Sequence, residues 1–268
     1  MIKVGNKILN FGKFPDGTCH ADIDCSQFEP NVPITWLFES EAEFINVWFL
    51  TQHCRDHEGY RRALCMPYVP EGRQDRVKLD TDVFTLKYFS QMVNALHYDR
   101  VEVFDPHSDV TAALINHIHV ISPINLIKKI LGELNNVIIC LPDEGSMLRY
   151  RGELLVPTIY GIKERNWQTQ RVEQLVLCGA TEEVKGKDIL IIDDICGKGS
   201  TIYHMAKQLK ELGANNIYVY VSHCENTVLK GNIQGRSLLD LPNLITKLYT
   251  TNSIFTLVHP KIKIIHYF

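Results

Sequence analysis

The stretch that decides the fold is DILIIDDICGKGST, residues 188–201. Its apolar run Ile189–Ile192 contains strand-forming side chains without polar alternation, which predicts a strand buried on both faces of a parallel sheet. From Ser200 or Thr201 onward, apolar residues recur at helical spacing up to Leu212, and Gly213 is placed to end that helix. A buried strand that passes through a short glycine loop into a helix indicates an α/β protein.

The same alternation of strand and helix extends along the chain in both directions. It predicts mainly parallel sheets flanked by helices, divided into two domains of 1–121 and 122–255. Residues 256–268 are expected to form a strand that returns to the N-terminal domain. The expected strands are 34–38, 62–69, 101–104, 137–141 and 216–221, and the expected helices are 41–54, 82–97 and 123–134.

The chain has 268 residues, of which 45% are hydrophobic and 22% are charged. This composition is typical of a globular protein with one large domain or two smaller ones. The net charge of −3 provides no basic field that would collect nucleic acid or an anionic membrane. No apolar run approaches the ~20 residues that a membrane span needs, and residues 1–14 lack the features of a signal peptide. The eight cysteines are scattered and form no C-x-x-C pair. Reduced thiols, and hence a cytoplasmic protein, are expected.

Polar residues follow the strand at the edge where parallel sheets bind their ligands. Segment 197–201, GKGST, places glycines at the start of a helix, where free backbone amides can bind an anion. Lys198 and Thr201 can add donors. The carboxylates of Asp193 and Asp194 cannot bind phosphate, but they suit ribose hydroxyls or a magnesium ion. Together these residues predict a sugar-phosphate site.

This segment resembles two other kinds of loop. It could be a tight strand-to-helix turn whose acids are merely solvated. A Walker A loop is excluded, because its pattern G-x-x-x-x-G-K-[ST] requires glycine where Ile192 stands and serine or threonine where Gly199 stands.

Segment 193–201 resembles the phosphate-binding motif of type I phosphoribosyltransferases. Other segments, in the same order from about residue 11 to 265, narrow the resemblance to the ribose-phosphate pyrophosphokinase family. They are FPDGT at 14–18 (F-S-D-G-E in the family), PY at 67–68 with RQDR at 73–76, DPHS at 105–108 (D-L-H-S/A), LPDEG at 141–145 (S-P-D-x-G-G), KER at 163–165 (K-x-R), SH at 222–223 and TNSI at 251–254.

The resemblance implies two type I phosphoribosyltransferase-type domains, with ATP bound by the N-terminal one and the sugar phosphate by the C-terminal one. It implies transfer of the β,γ-diphosphoryl group of ATP to the 1-hydroxyl of ribose 5-phosphate, which gives phosphoribosyl pyrophosphate (PRPP) and AMP. Mg²⁺ is the implied cofactor and ATP the co-substrate. A homo-oligomer is implied as well, but the family's hexamer is not, because the terminal segments that help to build it are not evident.

The family's functional residues carry over by position in the matching segments. ATP binding is assigned to Phe14, Asp16, Arg73, Gln74 and Asp75. Catalysis is assigned to Lys163, Arg165 and His107, and metal binding to His107, Asp143 and Asp193. Sugar-phosphate binding is assigned to Asp143, Asp193, Asp194, Gly197, Lys198, Gly199, Ser200 and Thr201.

Each of these residues alone has an ordinary structural explanation. Phe14 could be a core aromatic, His107 could close a strand end, and Lys163 with Arg165 could be a solvated charged patch. Their joint occurrence in the family's order is what favours the functional interpretation. His223 is left open between a structural and a functional role.

Two departures from the family pattern bear on the substrate. Thr18 stands where an adenine-side glutamate is expected. Segment 197–201 replaces D-T-G-G-T, so that one acid is lost and one cation is gained. The second change favours an acceptor with more negative charge at the 5-position, such as ADP-ribose, in place of ribose 5-phosphate. ADP-ribose 1-pyrophosphate, a precursor for NAD synthesis, is then the alternative product.

Two further functions remain open at this stage. A phosphoribosyltransferase would consume PRPP, but such an enzyme needs no ATP site like the one assigned to Phe14 and Asp16. A catalytically inactive regulatory subunit is disfavoured, because Lys163, Arg165 and His107 are all retained.

Overall fold

The structure is a computed structural model that describes residues 1–29, 31–57, 63–134, 136–150, 152–154, 156–165, 172–231 and 233–268. For residues 144, 148, 163–165 and 172–175 it describes the backbone only. The chain forms two units, Met1–Ser122 and Pro123–Phe268. The division follows a strand that ends at Ile121 and precedes a helix that begins at Ile124.

The first unit contains a six-stranded sheet within its described residues, in the order β2-β1-β5-β6-β7-β8. Strands β5 to β8 run parallel, whereas β1 is antiparallel to both β2 and β5. Two short strands, β3 and β4, form a separate hairpin. The elements are β1 (Ile2–Val4), β2 (Lys7–Leu9), β3 (Gly12–Lys13), β4 (Cys19–His20), β5 (Ile34–Trp36), α1 (Glu43–Asp56), β6 (Ala63–Cys65), α2 (Thr85–Asn94), β7 (Arg100–Phe104), α3 (Asp109–Leu114) and β8 (Ile118–Ile121).

The second unit contains a seven-stranded sheet within its described residues, in the order β11-β10-β9-β12-β13-β14-β15. All neighbouring strands in it are parallel except β10 and β11, which are antiparallel. The elements are α4 (Ile124–Glu133), β9 (Val137–Leu141), α5 (Glu144–Tyr150), β10 (Thr158–Arg165), β11 (Val172–Gly179), β12 (Asp188–Cys196), α6 (Ser200–Glu211), β13 (Ile217–Cys224), β14 (Lys247–Thr251) and β15 (Ile262–Ile265).

Strand β12 lies in the interior of the second sheet, between β9 and β13. Ile189–Ile192 are fully buried, as expected for a strand that is covered on both faces. Helix α6 contributes Ile202, Met205 and Leu209 to the same core cluster. The predicted α/β fold with two mainly parallel sheets is confirmed, and α6 begins at Ser200 as the helical spacing indicated.

The core of the first unit is built around Trp36, whose side chain is fully buried at the end of β5. Its ring lies 5.9 Å from that of Phe44 on α1 and 6.3 Å from that of Phe89 on α2, measured between centroids. The indole N–H donates to Glu43 Oε2 at 2.9 Å, which satisfies its one polar group. These aromatic contacts fix both helices against the sheet.

The predicted helix over 82–97 is too long, because α2 covers only Thr85–Asn94. Before it, the Asp82 carboxylate accepts the backbone N–H groups of Lys78 and Leu79 at 2.9 and 3.0 Å, which forms a turn in place of helix. After it, His97 adopts a left-handed backbone with φ of 49° and ends the helical segment.

Besides the short β3–β4 hairpin, two antiparallel hairpins within the two main sheets are absent from the predicted elements. The first is β1–β2, whose turn contains Gly5 at φ of 57°. The second is β10–β11, and its first strand contains segment 163–165, which the family resemblance marks as the flexible catalytic segment. The pairing of this hairpin shifts register between Glu164 and Arg165.

The expectation that residues 256–268 return to the N-terminal domain is wrong. Strand β15 lies instead at the edge of the second sheet, where Leu248 pairs with Ile262 and Thr251 with Ile265. Ile262 and Ile264 pack against the second core cluster, so the burial of apolar surface explains where the strand docks.

All eight cysteines lie outside disulfides, and six of them are buried. Among the described helices, none is both long enough and apolar enough to cross a membrane.

The packing of β12 and β15 predicts different costs for truncating their isoleucines. Ile191→Ala should lower the free energy of unfolding by about 3–4 kcal/mol, since the residue is fully buried. Ile264→Ala should lower it by about 1–2 kcal/mol, since that side chain is only partly buried. Chemical denaturation followed by circular dichroism measures both. Ile8→Ala, at a residue that is 55% exposed, is the control. An unchanged stability of Ile264→Ala would contradict the packing of β15.

Candidate active site

The predicted anion-binding loop lies between the carboxyl end of β12 and the amino end of α6. Gly199 precedes the helix with φ of 82°, a left-handed conformation that glycine adopts without strain. A Cβ at this position would lie 2.7 Å from Leu238 Cδ2, so a side chain does not fit. The N–H groups at the start of the 12-residue helix α6 have no acceptor within the helix, and they form the positive end of its dipole. Lys198 is exposed beside them.

The carboxylates of Asp193 and Asp194 are crowded together near the end of β12. The backbone N–H of Asp194 donates to Asp193 Oδ1 at 3.0 Å, and Asp194 is only 8% exposed. Burial raises the pKa of Asp193 well above its usual range, and the adjacent Asp194 carboxylate adds to the shift. Such a pair gains stability when a cation or hydroxyl donors bind it.

Asp143 follows β9, the parallel neighbour of β12, and the two strands pair Cys140 with Ile191. Its carboxylate accepts both the N–H and the hydroxyl of Ser146, at 3.0 and 3.1 Å. Asp143 thus begins helix α5 at the same sheet edge as the Asp193 pair. The fold brings together the carboxylates that the sequence predicted.

Glu225 is a residue of this edge that the sequence analysis missed. It directly follows β13, the other neighbour of β12, and its N–H donates to Cys196 O at 2.8 Å. A Cβ on Gly197 would lie 3.2 Å from Glu225 Oε2. A carboxylate from the neighbouring strand end therefore lies next to residue 197, where the loop sequence itself has no acid. Only the strand register reveals this, although the position of Glu225 just after the SH motif is a weak signal.

The predicted catalytic residues Lys163 and Arg165 lie in β10, whose backbone pairs with Leu175 and Val172 of β11. Their side chains lie outside the part of the chain that the structure describes, so their predicted role remains untested.

In the first unit, the loop that was assigned to ATP phosphates follows β6. The Gln74 side-chain oxygen accepts the hydroxyl of Thr85 at 3.0 Å, which ties the loop to the start of α2. Arg73 and Gln74 are both exposed. The next strand end carries His107, which is also exposed, and a Cβ on Gly72 would lie 3.7 Å from His107 Cβ. The structure thus brings the arginine loop and His107 together.

Asp75 was assigned to ATP binding, but its environment favours a different role. It is 6% exposed, and its carboxylate accepts Nε–H and Nη2–H of Arg76, both at 2.7 Å. The hydrogen bonds from Arg76 lower the pKa of Asp75, and the charge of His107 contributes. We therefore expect Asp75 to hold the loop beside His107 instead of contacting nucleotide.

Phe14 and Asp16 lie on the turn that connects β3 and β4. Phe14 is 51% exposed, and its ring meets the edge of His20 at 4.9 Å. Thr18 donates its N–H and its hydroxyl to Asp16 Oδ1 at 3.0 and 2.7 Å. Those bonds lower the pKa of Asp16 and orient its carboxylate. Thr18, which departs from the family's glutamate, thus has a local function in this turn.

The donor groups fit a magnesium site that is completed by substrate. In the described part of the chain, no three His, Cys, Asp or Glu side chains are grouped so as to hold a metal ion alone. Mg²⁺ usually binds through one or two carboxylates with water and substrate phosphates. The crowded Asp193–Asp194 pair and the nearby Asp143 provide carboxylates of this kind.

The second unit matches a known domain family. Residues 124–234 match the "Phosphoribosyl transferase domain" family model, in agreement with the glycine loop and carboxylate pair. The phosphoribosylpyrophosphate synthetase from Mycobacterium smegmatis has the same overall fold, with a TM-score of 0.74 at 16% sequence identity. That likeness covers 96% of this chain and 85% of the other.

Sequence relatives that match most of the chain indicate the kind of phosphoribosyltransferase-like protein more closely. The ribose-phosphate pyrophosphokinase of Thermococcus kodakarensis is 27% identical over 225 residues, 82% of this chain and 79% of that protein. The one from Pyrococcus abyssi is 28% identical over 272 residues, 98% of this chain and 90% of that protein. Over most of its length the chain is therefore similar to ribose-phosphate pyrophosphokinases, which are diphosphotransferase enzymes.

The loop geometry predicts that Gly199 tolerates no side chain. Gly199→Ala should lower the free energy of unfolding by about 2–4 kcal/mol, because it adds left-handed strain and a clash with Leu238. Gly186→Ala is the matched control, since Gly186 has φ of 74° with nothing within 4 Å of an added Cβ. That control should cost only about 1–2 kcal/mol. Equal costs in thermal denaturation would contradict the close approach of Leu238.

The lowered pKa of Asp75 predicts a pH-dependent stability. An acid whose pKa falls on folding stabilises the fold above its unfolded pKa and loses that effect as pH drops through its folded pKa. Asp75→Asn should therefore cost about 1 kcal/mol at neutral pH, and the difference from wild type should vanish as the pH falls through the lowered pKa of Asp75. Urea titrations across this range measure it. A difference that is independent of pH would show that the carboxylate charge is not involved.

Proposed function

We propose that this protein transfers the β,γ-diphosphoryl group of ATP to the 1-hydroxyl of ribose 5-phosphate, which yields PRPP and AMP. The observation that carries the proposal is the Gly197–Thr201 loop beside the Asp193–Asp194 pair, in a chain that is similar to ribose-phosphate pyrophosphokinases over most of its length. Amides at a helix start suit the 5-phosphate, and paired carboxylates suit ribose hydroxyls or a cation.

The reaction needs positioning and charge neutralisation more than covalent participation by the protein. The anomeric oxygen attacks the β-phosphorus, its proton is released, and the bond between the β-phosphorus and the oxygen of AMP breaks. Lys163 and Arg165 are proposed to offset the charge that develops on the transferred group. Bound Mg²⁺ would neutralise phosphate charge, and we propose that Asp143, Asp193 and His107 contribute to holding it.

The first unit is proposed to bind ATP. The exposed ring of Phe14 suits stacking on adenine, and Asp16, held as an acceptor by Thr18, suits the adenine amino group. Arg73 and Gln74 suit the phosphates, because both are exposed on a loop that is anchored to α2.

Ribose 5-phosphate is the preferred acceptor in this proposal. The argument for ADP-ribose depended on a loop that had lost an acid and gained a cation, but the Glu225 carboxylate against Gly197 restores the acid. ADP-ribose remains the second candidate acceptor, because Lys198 stands in the loop.

A cytoplasmic homo-oligomer remains part of the proposal. The region that follows the arginine loop exposes several large apolar side chains, which suits a subunit interface. They are Val77, Leu79, Val83, Tyr88 and Met92.

The test of the proposed function is AMP release from ATP and MgCl₂ with each acceptor in parallel. AMP and PRPP should form with ribose 5-phosphate. AMP release only with ADP-ribose would establish the second candidate. A protein that is inactive with both acceptors, but that consumes PRPP together with a nucleobase, would be a phosphoribosyltransferase. Inactivity in all three assays would favour the regulatory subunit.

The role assigned to Lys163 predicts a selective loss of turnover. Lys163→Ala should lower kcat by about 100- to 1,000-fold while KM for ribose 5-phosphate changes little, because the charge it offsets develops during transfer. Lys185→Ala, at an exposed residue of the same unit, is the control. A rise in KM with unchanged kcat would assign Lys163 to ground-state binding instead.

A further inference from the structure

The Glu225 carboxylate is held against the sugar-phosphate loop from a neighbouring strand end. Its Oε2 accepts the hydroxyl of Thr227 at 2.8 Å, and its backbone N–H donates to Cys196 O at 2.8 Å. The pairing of Cys196 with Cys224 in β12 and β13 places Glu225 level with Gly197. The carboxylate is therefore oriented by the sheet as well as by its own side-chain contact.

Gly197 leaves the space that the carboxylate occupies. A Cβ on Gly197 would lie 3.2 and 3.4 Å from the two Glu225 oxygens and 3.5 Å from Cδ. Glycine at 197 and glutamate at 225 are thus complementary, and a larger residue at 197 would displace the carboxylate from the loop.

The loop before α6 thus contains one positive charge and has one negative charge next to it. Within segment 197–201, Lys198 is the one ionisable side chain, and it is exposed. Glu225 adds one negative charge next to Gly197. A bound phosphate is attracted by Lys198 and by the helix amides, and it is repelled by Glu225.

We propose that Glu225 determines the charge specificity of this loop by offsetting Lys198, so that it limits the affinity of the loop for a phosphate dianion. The proposal rests on the proposed function, since it requires the loop to bind the 5-phosphate of a sugar. The proposal distinguishes possible ligands by the charge on the phosphate that the loop binds. A phosphomonoester, with ~1.5–2 charges on one phosphorus, is repelled more strongly than the phosphate next to ribose in ADP-ribose, with about one.

The test measures equilibrium binding, which does not require turnover. Isothermal titration calorimetry gives Kd for ribose 5-phosphate and for ADP-ribose with MgCl₂ and α,β-methylene-ATP, whose α–β link cannot be broken by transfer. Glu225→Gln keeps an oxygen that can accept from Thr227 and removes the charge. It should tighten ribose 5-phosphate about tenfold at low ionic strength and ADP-ribose by about threefold, with both gains shrinking as salt is added.

Variants of Lys198 provide the matched comparison. Lys198→Gln should weaken ribose 5-phosphate binding by about as much as Glu225→Gln strengthens it. The double variant Lys198→Gln/Glu225→Gln should return close to wild-type affinity, because one positive and one negative charge are removed together and the net charge at the loop is unchanged. Glu182→Gln, at an exposed glutamate of the same unit, is the control for a general change of protein charge.

The outcomes separate the proposal from the function on which it rests. Wild-type binding of ribose 5-phosphate with unchanged affinity in Glu225→Gln would overturn the role of Glu225 alone. Equal tightening of the two ligands would overturn the charge selectivity. A wild-type protein that binds neither ligand would overturn the sugar-phosphate site itself. Thermal denaturation checks that each variant is folded, and Glu225→Ala, which also removes the charge, should repeat the gain.

Discussion

The burial of β12 on both faces is the constraint on which the second unit depends. Because Ile189–Ile192 are fully buried, charged side chains cannot lie in the middle of the strand, and they collect at its carboxyl end. Burial raises the pKa of Asp193 there, with Asp194 adding to the effect. The same apolar packing that stabilises the sheet therefore concentrates carboxyl groups at its edge.

The parts of the fold that depend on local sequence could be predicted. The strand, the glycine loop and the start of α6 at Ser200 follow from hydrophobic pattern and glycine chemistry within a few residues. The docking of β15 could not be predicted, because an apolar strand at a chain end fits the edge of either sheet equally well by pattern. Its place follows from the packing of Ile262 and Ile264 on the second core.

The site was predictable in its motifs and not in its cross-strand contacts. Glu225 reaches Gly197 only because β12 and β13 align Cys196 with Cys224, a register that a single sequence does not specify. The pairing of Asp75 with Arg76 likewise separates a structural carboxylate from its exposed neighbours Arg73 and Gln74. A motif match assigns the same role to every residue of a segment. The burial and hydrogen-bond partners of each side chain show which residues can contact a ligand and which hold the loop.

The contact between Gly199 and Leu238 bears on how the loop meets its ligand. Leu238 is fully buried, so the loop backbone lies directly against the hydrophobic core at Gly199. A preorganised anion site loses little conformational entropy on binding, and most of its interaction energy is retained as affinity. For the anion site proposed at this loop, a backbone seated on the core leaves charge and shape as the main means of discriminating among ligands.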